Sequence, residues 1–212
     1  MKNLNGIYLV IDPAMGDNLL EKLSQALHGG LGLIQLWNHW PEEFGHLQKK
    51  SFIEQVKQVC SPYGTPILMH EDWELALETG LSGVHFDEIP LNWEEVKHLL
   101  ANHIVGATVG NDFDRITWLN EQGLSYLSFC AMFPSPSVQS CEIVTPEVVQ
   151  KTRVVTSLPL FLSGGIRPDN LHELSHLDFQ GIAVISGIMS ADNSEKAVRE
   201  YHSILNDLSI TS

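Results

Sequence analysis

The sequence predicts an α/β protein that forms a single (β/α)8 TIM barrel, and three observations support this prediction. Short runs rich in Ile, Val, Leu and aromatic residues alternate about eight times with longer segments of mixed polarity. The runs show little polar–apolar alternation, as is typical of strands buried on both faces of a parallel sheet. Because no linker or low-complexity stretch interrupts the 212 residues, residues 1–212 are predicted to be one barrel domain.

Eight segments have the length and composition of buried strands. In chain order they are GIYLVID (6–12), LGLIQLW (31–37), TPILMH (65–70), SGVHFD (82–87), HIVGAT (103–108), SYLSFC (125–130), LPLFLS (158–163) and QGIAVIS (180–186). A segment with helical spacing follows each strand: DNLLEKLSQALHGG, SFIEQVKQV, DWELALETG, NWEEVKHLLA, DFDRITWLNEQG, TPEVVQKTRVV, RPDNLHELSHL and SEKAVREYHSIL. Asp17 is expected to cap the first helix and Gly29-Gly30 to end it. A doubly wound open sheet is the alternative fold, but it would leave two runs unplaced, and no GxGxxG motif follows the first strand.

The charge balance excludes several classes of partner. The net charge is −14, with 12 Lys and Arg against 26 Asp and Glu, so no basic stripe can neutralise nucleic acid or an acidic membrane surface. A small anionic ligand is still compatible with this composition, because backbone amides can hold a phosphate without lysine.

The cysteines and the amino terminus predict a cytoplasmic protein. Cys60, Cys130 and Cys141 are odd in number and show no CxxC spacing, which indicates reduced thiols. The first apolar run is too short for a signal peptide, and no window approaches the ~18 apolar residues of a membrane span.

Glycines follow the last two predicted strands, where many barrels bind a phosphate. Strand seven ends in SGGI and strand eight in ISGI, and glycine lets a ligand approach the backbone closely. The expected phosphate-binding residues are Ser163, Gly164, Gly165, Ile185, Ser186 and Gly187. The alternative is that both turns need glycine for their geometry alone.

Carboxylates follow strands three and four, which are neighbours in a barrel. Glu71, Asp87 and Glu88 are the candidate ligands for Mg²⁺, which prefers oxygen donors together with phosphates and water. The alternative is that these are solvated loop acids, with Asp72 acting as a helix cap before WELAL.

Aromatic and imidazole groups follow strand two in the segment QLWNHW (35–40). A tryptophan there can stack on a flat heteroaromatic ring, and His39 can carry protons; the alternative is a loop folded over its own aromatic surface. Trp37, His70, His85 and Phe133 are the expected pocket residues. His70 and His85 are equally consistent with a structural role. Nucleophilic catalysis is not predicted, because no Ser-His-Asp order or nucleophile elbow is present.

These landmarks together resemble the thiamine phosphate synthase family and its thiazole tautomerase relatives. The resemblance runs nearly end to end, and its most specific segments are FLSGGIRPDN and GIAVISGIMSA. It implies a transferase that joins a hydroxymethylpyrimidine diphosphate to a thiazole phosphate with Mg²⁺. The partners it implies are small phosphorylated heterocycles, and a homodimer is expected by analogy.

The thiazole-phosphate half of the family pattern is present. Gly164, Gly165, Ile185 and Ser186 match the family's phosphate-binding turns, Gln35 matches the glutamine that ends strand two, and Thr108 takes the place of a serine after strand five. The resemblance therefore implies catalytic roles for Gln35, His39, Glu71 and Thr108.

The diphosphate half of the pattern differs at several positions. Trp37 replaces an arginine, His39 a lysine, Asp72 an arginine and Val138 a lysine, while Pro90 occupies the position of a second metal aspartate. Each charge-assisted contact to phosphate contributes roughly 1.5–3 kcal/mol, so these replacements predict weaker stabilisation of a diphosphate leaving group.

The sequence is therefore compatible with three functions: a family transferase, a tautomerase-like isomerase and a non-catalytic binder of a thiamine-pathway phosphate. The catalytic histidine of the tautomerases falls at Ala131. An isomerase would need another base, with Glu71, His39 and His70 as the candidates.

Overall fold

The eight predicted strands form a closed parallel barrel in the order β1 to β8, which confirms the predicted fold class. The structure, a computed structural model, describes residues 4–16, 18–135 and 142–210. The strands are Gly6–Ile11 (β1), Leu33–Leu36 (β2), Ile67–His70 (β3), Gly83–Phe86 (β4), Ile104–Val109 (β5), Tyr126–Cys130 (β6), Leu160–Ser163 (β7) and Gly181–Val184 (β8). Pairing of β1 with β8, in the register Gly6 to Gly181, closes the sheet.

Helices follow the strands and cover the outside of the barrel. They are Leu19–Gly29 (α1), His46–Cys60 (α2), Trp73–Thr79 (α3), Trp93–Leu99 (α4), Phe113–Asn120 (α5), Pro146–Val155 (α6), Ser186–Met189 (α7) and Ser194–Ile210 (α8). The first helix ends at Gly29 as predicted, with Gly30 at φ 98°, whereas its predicted cap, Asp17, lies outside the described residues. Within the described ranges, no helix is long and apolar enough to cross a bilayer.

The prediction of a helix directly after β7 is wrong. Only a short 3₁₀ helix, Leu171–Leu174, lies between β7 and β8. Asn170 explains the difference, because its side chain accepts a hydrogen bond from the Arg167 N–H and donates one to the Gly165 carbonyl. These bonds hold the segment after β7 in a tight turn.

Alternate residues of each strand face two separate cores, as the period of a strand requires. Side chains such as Ile7 and Leu9 pack between the sheet and the helices. Tyr8, Tyr126 and Phe161 point into the barrel, where their rings meet edge to face. The barrel therefore contains an aromatic layer directly beneath its mouth.

A glycine beside Tyr126 makes room for this layer. A Cβ on Gly106 would lie 2.0 Å from Cζ of Tyr126, so no larger residue fits at this position on β5.

Candidate functional site

A cavity of about 840 Å³ opens at the carboxyl ends of the strands, which is the face where barrel enzymes carry their active sites. Its volume suits a small-molecule ligand. Most of the residues predicted for the site line it, namely Gln35, Trp37, His70, His85, Asp87, Glu88, Thr108, Ser163, Gly164, Gly165, Ile185, Ser186 and Gly187. His39, Glu71 and Phe133 do not belong to the lining.

Glu71 joins the loops that follow β3 and β4. Its Oε1 accepts hydrogen bonds from the N–H groups of Asp87, at 2.5 Å, and Glu88, at 3.1 Å. Glu71 makes this contact from a left-handed backbone conformation, with φ of 63°. The carboxylate of Glu71 therefore fixes the place of Asp87 at the cavity.

Ligand atoms of His70, Glu71 and Asp87 all lie within 4.8 Å of one another. Nε2 of His70 is 2.9 Å from Oδ2 of Asp87 and 3.8 Å from Oε1 of Glu71. Glu88 lies apart from this group, because its Oε2 pairs with Nη1 of Arg115 at 3.3 Å. The predicted metal residues Glu71 and Asp87 are thus together, with His70 beside them.

Asp72 acts as a helix cap, as the alternative reading proposed. Its Oδ1 accepts a hydrogen bond from the N–H of Leu75 at 3.0 Å in the first turn of α3. Asp72 therefore serves the helix, and Pro90 does not line the cavity.

A chain of close polar contacts crosses the barrel beneath the cavity. The hydroxyl of Thr108 donates to Oδ1 of Asp87 at 2.5 Å and lies 2.8 Å from Nε2 of His85. Nδ1 of His85 lies 2.8 Å from the hydroxyl of Tyr126, which is 3.0 Å from that of Tyr8. The Tyr8 hydroxyl in turn donates to Oε1 of Gln35.

Burial sets the charge of this chain. Desolvation lowers the pKa of His85 and raises those of Tyr8 and Tyr126 well above the usual range, so these three groups are neutral near pH 7. Burial alone would raise the pKa of Asp87, but hydrogen bonds from His70, His85 and Thr108 together hold it well below its usual range. Asp87 is therefore ionised and held in place at the mouth of the barrel.

The glycine turn after β7 has a packing reason for its composition. Gly164 and Gly165 have φ of 83° and 67°, and a Cβ on either would lie within 3 Å of Ala131 or of Phe133. The two glycines are thus required by the fold itself, while the same turn also lines the cavity. Phe133 contacts this turn through its backbone, since the Phe133 N–H donates to the carbonyl of Gly164 at 3.0 Å.

The aromatic segment after β2 divides between the cavity and the surface. Trp37 lines the cavity, whereas Trp40 packs on Phe44 and Phe52 in a local aromatic cluster. His39 is 59% exposed and binds Asp12 through Nδ1 at 3.0 Å. The structure therefore places the predicted proton carrier His39 outside the cavity.

Several cavity residues were missed by the sequence reasoning. Tyr8, which lines the cavity, and Tyr126, which lies beneath it in the barrel interior, read as ordinary strand residues, although inward-facing positions could have been found from the strand period. Arg115 and Arg167 also line the cavity. Nothing in the helical pattern around Arg115 distinguishes it from a surface cation, but Arg167 directly follows the glycine turn that had been singled out.

Two predicted positions have no direct counterpart in the site. Val138 lies outside the described residues. Ala131 is fully buried and offers no ionisable group at the position of the tautomerase histidine.

The fold and the cavity define a (β/α)8 barrel with a polar ligand site at the carboxyl ends of its strands. A family model described as thiamine monophosphate synthase matches residues 7–188. The chain belongs to this family. The predicted family is thereby confirmed, and with it the prediction of an enzyme of this family.

Curated relatives agree with this assignment over nearly the whole chain. Thiamine-phosphate synthase from Clostridium perfringens (strain 13 / Type A) is 28% identical over 209 residues, covering 97% of this chain and 98% of the relative. Thiamine-phosphate synthase 1 from Streptococcus pneumoniae (strain ATCC BAA-255 / R6) is 26% identical over 190 residues, covering 87% and 89%.

Among solved structures, thiamine phosphate pyrophosphorylase from Pyrococcus furiosus has a TM-score of 0.83 at 24% identity, covering 97% of this chain and 98% of the other. A Mycobacterium tuberculosis tryptophan synthase structure has a TM-score of 0.66 at 13% identity, covering 94% and 92%. At these identities both likenesses support the barrel fold alone.

Proposed function

We propose that this chain is a thiamine phosphate synthase-like transferase of thiamine biosynthesis. It binds a thiazole phosphate at the turns after β7 and β8 and a hydroxymethylpyrimidine diphosphate on the side of β3 and β4. The observation that supports this most strongly is that a single cavity is lined both by Gly164, Gly165 and Ser186 and by Asp87, which Glu71 holds in place. One ligand at each side brings the two rings together between them.

Mg²⁺ fits the carboxylates on the β3–β4 side. Oxygen donors are what this ion prefers, and a carboxylate has about four lone-pair positions. Glu71 uses Oε1 for its two N–H partners, and within the described ranges its Oε2 accepts no hydrogen bond. Glu71 and Asp87 would hold the ion, with Glu88 within the same loop. When bound, Mg²⁺ supplies positive charge to a departing diphosphate.

The residues of the chain orient the rings and exclude water. The reaction breaks the C–O bond between the pyrimidine methylene and the diphosphate, and the thiazole nitrogen captures the resulting carbocation. The face of Trp37 can stack on a heteroaromatic ring and stabilise adjacent positive charge. Gln35, held by Tyr8, and Thr108, held by His85 and Asp87, are fixed polar groups that orient the pyrimidine.

The isomerase and the binder are the two alternative functions, and each predicts a different outcome when the protein is given the transferase substrates. An isomerase lacks a base at Ala131, and its candidate His39 binds Asp12 away from the cavity. A pure binder would retain thiazole phosphate affinity without making any product. Both alternatives are separated from the transferase by product formation.

The test is incubation of purified protein with thiazole phosphate, hydroxymethylpyrimidine diphosphate and Mg²⁺, followed by chromatography of thiamine phosphate. The Clostridium perfringens relative serves as the positive control. Product above background is expected. Absence of product while the control is active contradicts the proposal, and retained thiazole phosphate binding in that case identifies a binder.

Ser186 offers a matched pair of variants for the phosphate position. Gly165 is unsuitable, because a Cβ there would lie 2.6 Å from the Phe133 carbonyl oxygen and would disturb the fold. Ser186→Glu places a carboxylate in the cavity and should reduce thiazole phosphate affinity at least tenfold through like-charge repulsion, whereas Ser186→Ala should change it less than threefold. Equal effects of the two substitutions on affinity would show that the phosphate does not bind at this turn.

A further inference from the structure

The cavity contains few positive charges for an anionic ligand. Among its described lining residues the carboxylates are Asp87, Glu88, Asp112 and Glu142, and the only cations are Arg115 and Arg167. Lysine does not occur in this set. Among the described lining residues, these two guanidinium groups are therefore the charged side chains that can attract an anion.

Arg115 lies beside the loop that follows β4. Its Nη2 donates to the Asp87 carbonyl at 2.5 Å and its Nη1 pairs with Glu88 at 3.3 Å. Oδ1 of Asp112 caps α5 by accepting the backbone N–H of Arg115 at 3.0 Å, which fixes Arg115 in the first turn of this helix. Glu88 is 82% exposed, and such a solvated pairing contributes little.

Arg167 has the same arrangement beside the turn that follows β7. Its Nε pairs with Asp169 at 3.1 Å, and Asp169 is 73% exposed. The Arg167 backbone is fixed by Asn170, which also bonds Gly165. Each cavity arginine thus pairs with one highly exposed carboxylate, and Arg115 also donates to the Asp87 carbonyl.

The barrel separates the two arginines. Arg115 contacts the loop after β4, and Arg167 follows β7, which is three strands further around an eight-stranded barrel. One small anion cannot be central to both places, so the charges suit two anions on different sides of the mouth.

We propose that Arg115 and Arg167 serve two separate anion-binding positions, and that Glu88 and Asp169 occupy their guanidinium groups until anions bind. Arg115 binds the diphosphate beside Asp87, and Arg167 binds the monophosphate beside Gly165. A phosphate bearing two negative charges forms stronger, bidentate contacts with a guanidinium than an exposed carboxylate does, so the ligand replaces the carboxylate. This inference rests on the proposed function and names the residues that stabilise each reactant.

Isothermal titration calorimetry with inorganic pyrophosphate, with and without Mg²⁺, and with thiazole phosphate tests this assignment. Arg115→Ala should lower the affinity for pyrophosphate roughly ten- to hundredfold and leave that for thiazole phosphate within about threefold. Arg167→Ala should show the reverse pattern. Arg199→Ala removes the same charge from α8, where Arg199 pairs with Glu195, and should change neither affinity.

Substitution of the competing carboxylates, Glu88 and Asp169, should increase ligand affinity, which damage to the fold would not do. Glu88→Gln should raise the affinity for pyrophosphate several-fold, and Asp169→Asn should do so for thiazole phosphate, because each frees its arginine. Unchanged or lower affinities in both variants overturn the proposal, as does equal sensitivity of the two ligands to Arg115→Ala.

Failure of the proposed function gives a different result. If wild-type protein does not bind thiazole phosphate, the proposed function is wrong. If it binds thiazole phosphate but Arg115→Ala leaves pyrophosphate affinity unchanged, only the assignment of the arginines is wrong.

Discussion

Glu71 combines an unusual backbone conformation with a carboxylate that holds the neighbouring loop. A left-handed φ of 63° at a non-glycine residue costs of the order of 1–3 kcal/mol. Its two hydrogen bonds to the Asp87 and Glu88 N–H groups offset that cost. A structural role and the proposed metal-binding role therefore meet in a single side chain, and substitutions can separate them.

Glu71→Gln should keep the loop but weaken the metal site. A glutamine carbonyl still accepts from both N–H groups, so the melting temperature should change little, while Mn²⁺ affinity measured by electron paramagnetic resonance should fall at least tenfold through loss of charge. Glu71→Ala removes the acceptor as well and should cost roughly 1–3 kcal/mol of unfolding free energy. Equal metal affinity in wild type and Glu71→Gln would exclude Glu71 as a ligand.

Trp37 tests whether the replaced family cation limits the site. Trp37 lines the cavity at a position where the family resemblance implies an arginine. Trp37→Arg should raise pyrophosphate affinity about tenfold by adding a bidentate donor, whereas Trp40→Arg, within the Phe44 and Phe52 cluster, should not. Calorimetry on both variants checks this, and an unchanged affinity in Trp37→Arg would contradict the assignment.

Cys60 is expected to be chemically inert in the folded protein. Burial raises the pKa of its thiol to about 12, so almost none is thiolate at pH 8, and thiolate is the reactive form. Iodoacetamide at pH 8 should label the Cys60 peptide at least a hundredfold more slowly in native protein than in urea, as measured by mass spectrometry. Equal rates would show that α2 does not bury this residue.

The strands illustrate how far local pattern predicts an element. Parallel strands are buried on both faces, so runs such as LIQL and GVHF are recognisable from composition alone. Several predicted strands are one or two residues too long at an end, as in TPILMH (65–70) against the observed Ile67–His70. The segment after β7 was predicted wrongly since its apolar spacing is helical, but Asn170 bonds the turn instead.

Gly106 on strand β5 allows a direct test of side-chain packing inside the barrel. Gly106→Ala would place a Cβ 2.0 Å from the ring of Tyr126 and should cost roughly 1–3 kcal/mol of unfolding free energy. Gly110→Ala is the matched control, because its Cβ would meet only the Cys130 carbonyl oxygen, at 4.0 Å. Urea denaturation compares the two, and equal stabilities would mean that the aromatic layer is loosely packed.

At the scale of the whole molecule, barrel topology explains why the site could be predicted in part. Closure of the barrel brings every strand end to one mouth, so residues just after strands, such as Asp87 and Gly165, were placed correctly by position. Side chains that reach the mouth from elsewhere were not predictable. Arg115 arrives from a helix, and the buried Tyr8 and Tyr126 reach the site from the barrel interior, through Gln35 and His85 respectively.

Two expectations from the sequence stay predictions. The cytoplasmic location and the homodimer rest on composition and on family analogy. The opposite sides of the mouth, with carboxylates near β3 and β4 and glycine turns after β7 and β8, carry the central claim of two phosphorylated ligands in one cavity.

A crystal structure with thiazole phosphate, pyrophosphate and Mg²⁺ tests that claim most directly. We expect the monophosphate within hydrogen-bonding distance of the Gly165 and Ser186 turns, with Arg167 at its side. The pyrophosphate is expected at the opposite side, between Arg115 and an ion held by Glu71 and Asp87. A monophosphate beside Asp87, or ligands bound outside the cavity, would contradict that claim.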